Sequence, residues 1–111
     1  MPIWHKTLLD RFSLLPTYQQ VIMVANELNR AQNMIKMPLE YKNALERALE
    51  LTDFISDDRR WSKKLREIRR AREMMAMFYD HPQPQDTRIL QRCFIQLDSA
   101  AWKYIKSACV F

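Results

Sequence analysis

The stretch DDRRWSKKLREIRRAREMMAMFY, Asp57 to Tyr79, carries two patterns at once, and together they decide the fold. At 100° per residue, Trp61, Leu65, Ile68, Met75 and Tyr79 fall within about 40° of one direction, which predicts a helix with that face in a core. Ser56, Asp57 and Asp58 supply an N-cap and negative charge for its positive end. On the opposite side Arg59, Lys63, Arg66 and Arg70 fall together, in a column about three turns or roughly 16 Å long. That length suits a few phosphate spacings of a nucleic-acid backbone.

Eight Lys or Arg lie between Arg59 and Arg72 against one Glu, while the whole chain has a net charge of only +5. The remainder of the chain is therefore slightly acidic. The preceding segment, 39 to 55, holds Glu40, Glu46, Glu50 and Asp53 against Lys42 and Arg47, so part of the basic charge is expected to be neutralised within the molecule. A charge run also serves simply as a solvated face. The outward column, with Arg69 beside it, is the part least easily neutralised and is the candidate nucleic-acid surface. Arg72 differs, because it falls near the centre of the apolar stripe. A buried unpaired guanidinium is costly, so it calls for a carboxylate (Glu27, Glu46 or Glu50) or for a place lining a bore or binding cleft.

Outward from this helix the chain reads as all-α. Glycine is absent, which excludes P-loops and dinucleotide folds, while residues that suit helices abound. Thr17 and Gln20, after Pro16, match a capping box and open a helix carrying Tyr18, Val21, Ala25, Leu28 and Ile35. Pro38 begins a second, with Tyr41, Leu45, Ala48, Thr52 and Ile55 in phase. The stretch HPQPQ, His81 to Gln85, is a loop. Asp86 caps a last helix whose inward face reads Leu90, Phe94, Leu97, Ala101, Tyr104 or Ile105, and Ala108. Short connections make consecutive helices antiparallel, so the expected architecture is an up-down-up-down four-helix bundle over 17–111. Residues 1–16 form an apolar arm with Ile3, Trp4, Leu8, Leu9, Phe12 and Leu15, expected to lie on its own bundle or to dock on a partner.

Several classes fit poorly. No Glu-x-x-His occurs, and His5 and His81 are isolated from other metal-ligating side chains, so no metal and no cofactor are expected. Arg72 and His81 are too far apart for the paired Arg and His of a small helical ribonuclease. Cys93 and Cys109, with Cys93 placed on the inner side of its helix, read as structural thiols of a reducing cytoplasm. The N-terminus has neither a signal peptide's apolar core nor the length to span a bilayer, so no membrane is expected. Two apolar sets fall outside the expected core: Ile95 with Trp102, and Met74, Met77 and Phe78. With Trp4 of the arm they form a candidate oligomer or partner interface.

In order along the chain, Tyr18-x-x-Val21, the basic third helix with Leu65 and Arg69 before an apolar end, and a late Trp102 in LDSAAWKY form a set. It resembles the accessory variability proteins of diversity-generating retroelements, related to proteins encoded in ribosomal RNA intervening sequences. Ala100 and Ala101 stand where that family has a Gly-rich pair. The resemblance implies a non-enzymatic subunit, often a pentameric barrel, that binds a reverse transcriptase and RNA or DNA through basic surfaces. The alternatives from the residues themselves are a protein-interaction adaptor whose basic helix is merely solvated, and a helical ribonuclease or toxin.

Overall fold

In the computed structural model the backbone is described for residues 6–108 and the side chains for 10–103. Ile3, Trp4, His5 and Cys109, and the side chains of Leu8, Leu9, Tyr104, Ile105 and Ala108, lie outside the described residues. Among the described residues six α-helices follow one another: α1 (Lys6–Leu14), α2 (Thr17–Asn33), α3 (Pro38–Ser56), α4 (Leu65–Asp80), α5 (Arg88–Ile95) and α6 (Ser99–Ala108). A 3-10 segment, Arg59–Lys64, leads into α4. No described residue has positive φ, as suits a chain without glycine.

The apolar spacings read from the sequence become the core. Val21, Val24, Ala25, Leu28 and Ala31 of α2 are buried against Tyr41, Leu45, Ala48, Leu51 and Ile55 of α3, with Ile68 and Met75 of α4 and Leu90, Phe94 and Ile95 of α5 completing it. Each fully buried Leu or Ile contributes about 1.5–3 kcal/mol relative to exposure. Helices α3 and α4 run antiparallel, and cross-helix contacts show it directly. Asp53, Thr52, Glu46 and Tyr41 descend along α3 as their partners Arg72, Met75, Tyr79 and Gln85 ascend. Likewise α5 returns along α2, since Thr87 donates to the Leu28 carbonyl at 2.6 Å and Thr17 to Asp98 Oδ2 at 2.8 Å. The radius of gyration, 13.3 Å, is that of a compact chain of this length.

Four local expectations change. Thr17 and Gln20 make no capping box: Pro16 holds the N-cap position of α2, Thr17 bonds Asp98, and Gln20 turns inward. The basic stretch does not begin as an α-helix. Asp58 Oδ1 accepts the Arg60 amide at 2.9 Å and starts a 3-10 turn instead. Asp86 serves α5 one residue early, taking the Arg88 amide at 2.9 Å while Thr87 is the N-cap residue. The last helix is broken at Gln96 to Asp98, where Asp98 Oδ1 accepts the amides of Ala100 and Ala101 at 2.9 and 3.1 Å and starts α6 afresh.

The arm is itself helical over α1. So short a helix is marginal alone and is held by packing: Phe12 is 1% exposed, its ring 5.9 Å from that of Phe54. Where α1 ends, the Phe12 carbonyl accepts Leu15 N at 3.1 Å and Gln20 Nε2 at 2.9 Å. Leu14, at 83% exposure, faces solvent.

Candidate functional site

The basic segment divides into engaged and unengaged cations. Arg60 is clamped, its Nη2 donating to Asp58 Oδ2 at 2.7 Å and to the Ser13 carbonyl at 2.9 Å. The hydrogen bond from Arg60 holds the Asp58 carboxyl down at about 2, against the opposing effect of burial. Lys64 Nζ donates to the Leu97 carbonyl at the α5 end. Arg72 pairs with Asp53, Nε to Oδ1 at 2.5 Å and Nη2 to Oδ2 at 3.4 Å. This corrects the expected partners. Glu46 instead accepts the Tyr79 hydroxyl at 3.1 Å, and Glu27 faces the charges of Arg30 and Arg47, its own pKa raised chiefly by burial. The Arg72 and Asp53 side chains are 40% and 42% exposed, so the guanidinium lies at the edge of the apolar stripe rather than sealed within it. The hydrogen bond that Arg72 donates to Asp53 raises the guanidinium's pKa further.

Arg59, Lys63, Arg66, Arg69 and Arg70 are all exposed, and none of their side chains makes a hydrogen bond or ion pair among the described residues. They do not form the single column expected. A 3-10 turn advances about 120° per residue, so Arg59 and Lys63 lie roughly 120° apart around their axis. Arg66, Arg69 and Arg70, at helical spacings of three and four on α4, do share one face.

The candidate interface set is also redistributed. Ile95 is fully buried, which removes it from any surface. Cys93, placed inward from the sequence, is exposed. Both errors have one cause: phasing one straight helix through Leu97 and Ala101 averages across the Gln96 to Asp98 break. Taken alone, α5 buries Leu90, Gln91, Phe94 and Ile95, a face turned by roughly 70° from the expected one. Trp102, Met74 and Phe78 are half-buried against the core, whereas Met77 is 70% exposed.

The sequence reading missed two buried glutamines and a cavity. Gln20 shares the stripe of Val24 and Leu28 at four-residue steps, and Gln91 shares that of Phe94 and Ile95, so a carboxamide in a core phase was the available signal. Gln20 is fully satisfied: besides its bond to Phe12, its Nε2 donates to Asp58 Oδ2 at 3.1 Å and its Oε1 accepts Trp61 Nε1 at 2.7 Å. Gln91, 3% exposed, leaves its buried Nε2 without a partner among the described residues. It lines a cavity of about 590 Å³ between the end of α2 and the start of α5, together with Asn29, Gln32, Asn33, Arg88, Ile89 and Arg92. Arg88 pairs with Asp86, whose carboxyl is held at about 2 by the hydrogen bonds from Arg88. A smaller apolar groove, about 310 Å³, lies along Leu15, Tyr18, Ile22 and Met23.

Among the described residues no three His, Cys, Asp or Glu side chains gather so as to hold a metal ion, and no helix is long and apolar enough to cross a membrane. Compared with known proteins, the chain matches no family model, no curated protein and no solved structure.

Proposed function

We propose that this chain is a non-enzymatic four-helix-bundle subunit that binds nucleic acid through the exposed cations of the 3-10 segment and α4. The observation that carries this reading is the absence of neutralisation. The acidic helix α3 lies alongside α4, yet among the described ion pairs it engages only Arg72 of the eight cations; with Arg60 held by Asp58 and Lys64 by the Leu97 carbonyl, five remain solvated and unpaired. Unpaired cations grouped on one surface attract phosphates and release counterions when they bind. Arg66, Arg69 and Arg70 form the contact face on α4, Arg59 and Lys63 extend it around the 3-10 turn, and Arg72 orders its edge through Asp53.

The test is a titration of RNA and DNA at two salt concentrations. Affinity falling steeply with salt supports the reading, and replacing Arg66, Arg69 and Arg70 by Gln is expected to weaken binding about equally across sequences while keeping helicity. Affinity that is negligible at low salt, or unchanged in the triple variant, overturns it in favour of an adaptor. The family resemblance adds self-association and a reverse transcriptase partner, for which exposed Met77 and the half-buried Met74, Phe78 and Trp102 are the candidate contacts. Light scattering of the chain and of a Trp102→Glu variant checks the first.

A further inference from the structure

We propose that the cavity between the end of α2 and the start of α5 is a binding site for a nucleotide, either a free nucleoside monophosphate or the terminal nucleotide of a strand. It stands apart from the basic segment, whose Lys64 reaches Leu97 at the other end of α5, and does not depend on how that segment is used. Its volume, about 590 Å³, falls within the range of small-molecule sites and exceeds what a bare phosphate needs.

The lining offers partners for the phosphate of a nucleotide and for the edge and face of its base. Among the described residues Arg92 is exposed and unpaired and no carboxylate lines the cavity, while Arg88 is partly neutralised by Asp86, so an anion is favoured. The positive end of α5, beginning at Arg88, adds to that preference. Asn29, Asn33 and Gln91 each carry a donor and an acceptor side by side, the arrangement that pairs with the polar edge of a base. Ile89, 57% exposed, offers an apolar surface for a ring face.

Gln91 is the observation that points to a ligand. A buried carboxamide nitrogen without a hydrogen bond costs folding free energy, and this one belongs to a cavity-lining side chain. The nitrogen itself has almost no accessible surface, so a rotation of the amide toward the cavity is what brings it to a ligand. Gln32 is committed differently, its Oε1 accepting the Thr87 amide at 2.9 Å and fixing the wall.

The test titrates the intact chain with the four common nucleoside 5′-monophosphates, with inorganic phosphate and with a nucleoside, following binding by calorimetry and the Asn and Gln side-chain amides by NMR. Saturable binding of at least one monophosphate is expected, tighter than phosphate or nucleoside by about tenfold or more, with shifts at Asn29, Asn33 and Gln91. Arg92→Gln and Gln91→Leu are each expected to weaken it by about tenfold. Arg66→Gln with Arg70→Gln should leave it unchanged, which separates this site from the basic surface. A short oligonucleotide that displaces the monophosphate identifies a strand end as the occupant, and one that does not identifies the free nucleotide. No saturable binding at millimolar monophosphate, binding no tighter than phosphate, or affinity untouched by both Arg92→Gln and Gln91→Leu overturns the proposal.

Discussion

Gln20 and Gln91 occupy the same kind of place, a core-facing position on a helix, at 0% and 3% exposure, but their surroundings are opposite. Around Gln20 the end of α1, the start of α2 and the 3-10 turn converge, and Trp61, Asp58 and the Phe12 carbonyl use both ends of its amide. Around Gln91 the end of α2 and the start of α5 leave a cavity, and its amide nitrogen goes unmatched among the described residues. Burial of a polar group thus says little until its partners are named. The satisfied amide organises a junction; the unsatisfied one marks a place where the molecule has kept recognition capacity at some cost in stability.

The sharpest test of the first half is Trp61→Ala, which removes a side chain 3% exposed together with the donor to Gln20. It is expected to cost about 3–5 kcal/mol in urea unfolding. Trp61→Phe keeps most of the volume and should cost clearly less. Next comes the direct comparison of the glutamines. Gln20→Leu should lose about 1–3 kcal/mol by stranding the Trp61 donor, whereas Gln91→Leu should be neutral or slightly stabilising. If the two substitutions cost the same, the contrast between these regions is wrong.

The closed junction also carries a pH signature. Because Asp58 titrates at about 2 in the folded protein, below the ordinary aspartate value of about 3.9, its stabilisation is full above that ordinary value and fades as pH falls toward 2. Its side chain is 12% exposed, and the effect is on the order of 1–2 kcal/mol. An acid titration of thermal stability should show this loss, and Asp58→Asn should remove this part of the slope. The smallest effect belongs to Arg72→Met. With both partners near two-fifths exposed, loss of the Asp53 pair should change stability by less than about 1 kcal/mol, a shift that calorimetry can bound.

The helical class, the antiparallel pair of α3 and α4 and most of the core were legible because period and punctuation are local: Val21, Leu28, Leu45, Ile55, Ile68 and Met75 lie where their spacing placed them. What was not legible depends on where a helix changes axis. Asp58 starts a 3-10 turn and Asp98 restarts a helix, and a wheel carried across either point misassigns its far side, as happened with Lys63, Cys93 and Ile95. The Arg72 partner was misread for a related reason. Asp53 becomes its neighbour only through the vertical offset of α3 against α4, which charge counting along one helix does not contain. The exposed arginines of α4 could be listed from sequence; their lack of carboxylate neighbours could not.

The backbone without positive φ and the chain without glycine have an experimental consequence. At no described position does the main chain adopt a shape that a β-carbon would resist, so replacement by alanine carries no penalty from left-handed geometry. A systematic alanine scan over residues 10–103, Pro16, Pro38, Pro82 and Pro84 aside, would therefore read side-chain chemistry almost undiluted. The difference between the scan of folding and the scan of binding would map recognition onto this surface residue by residue.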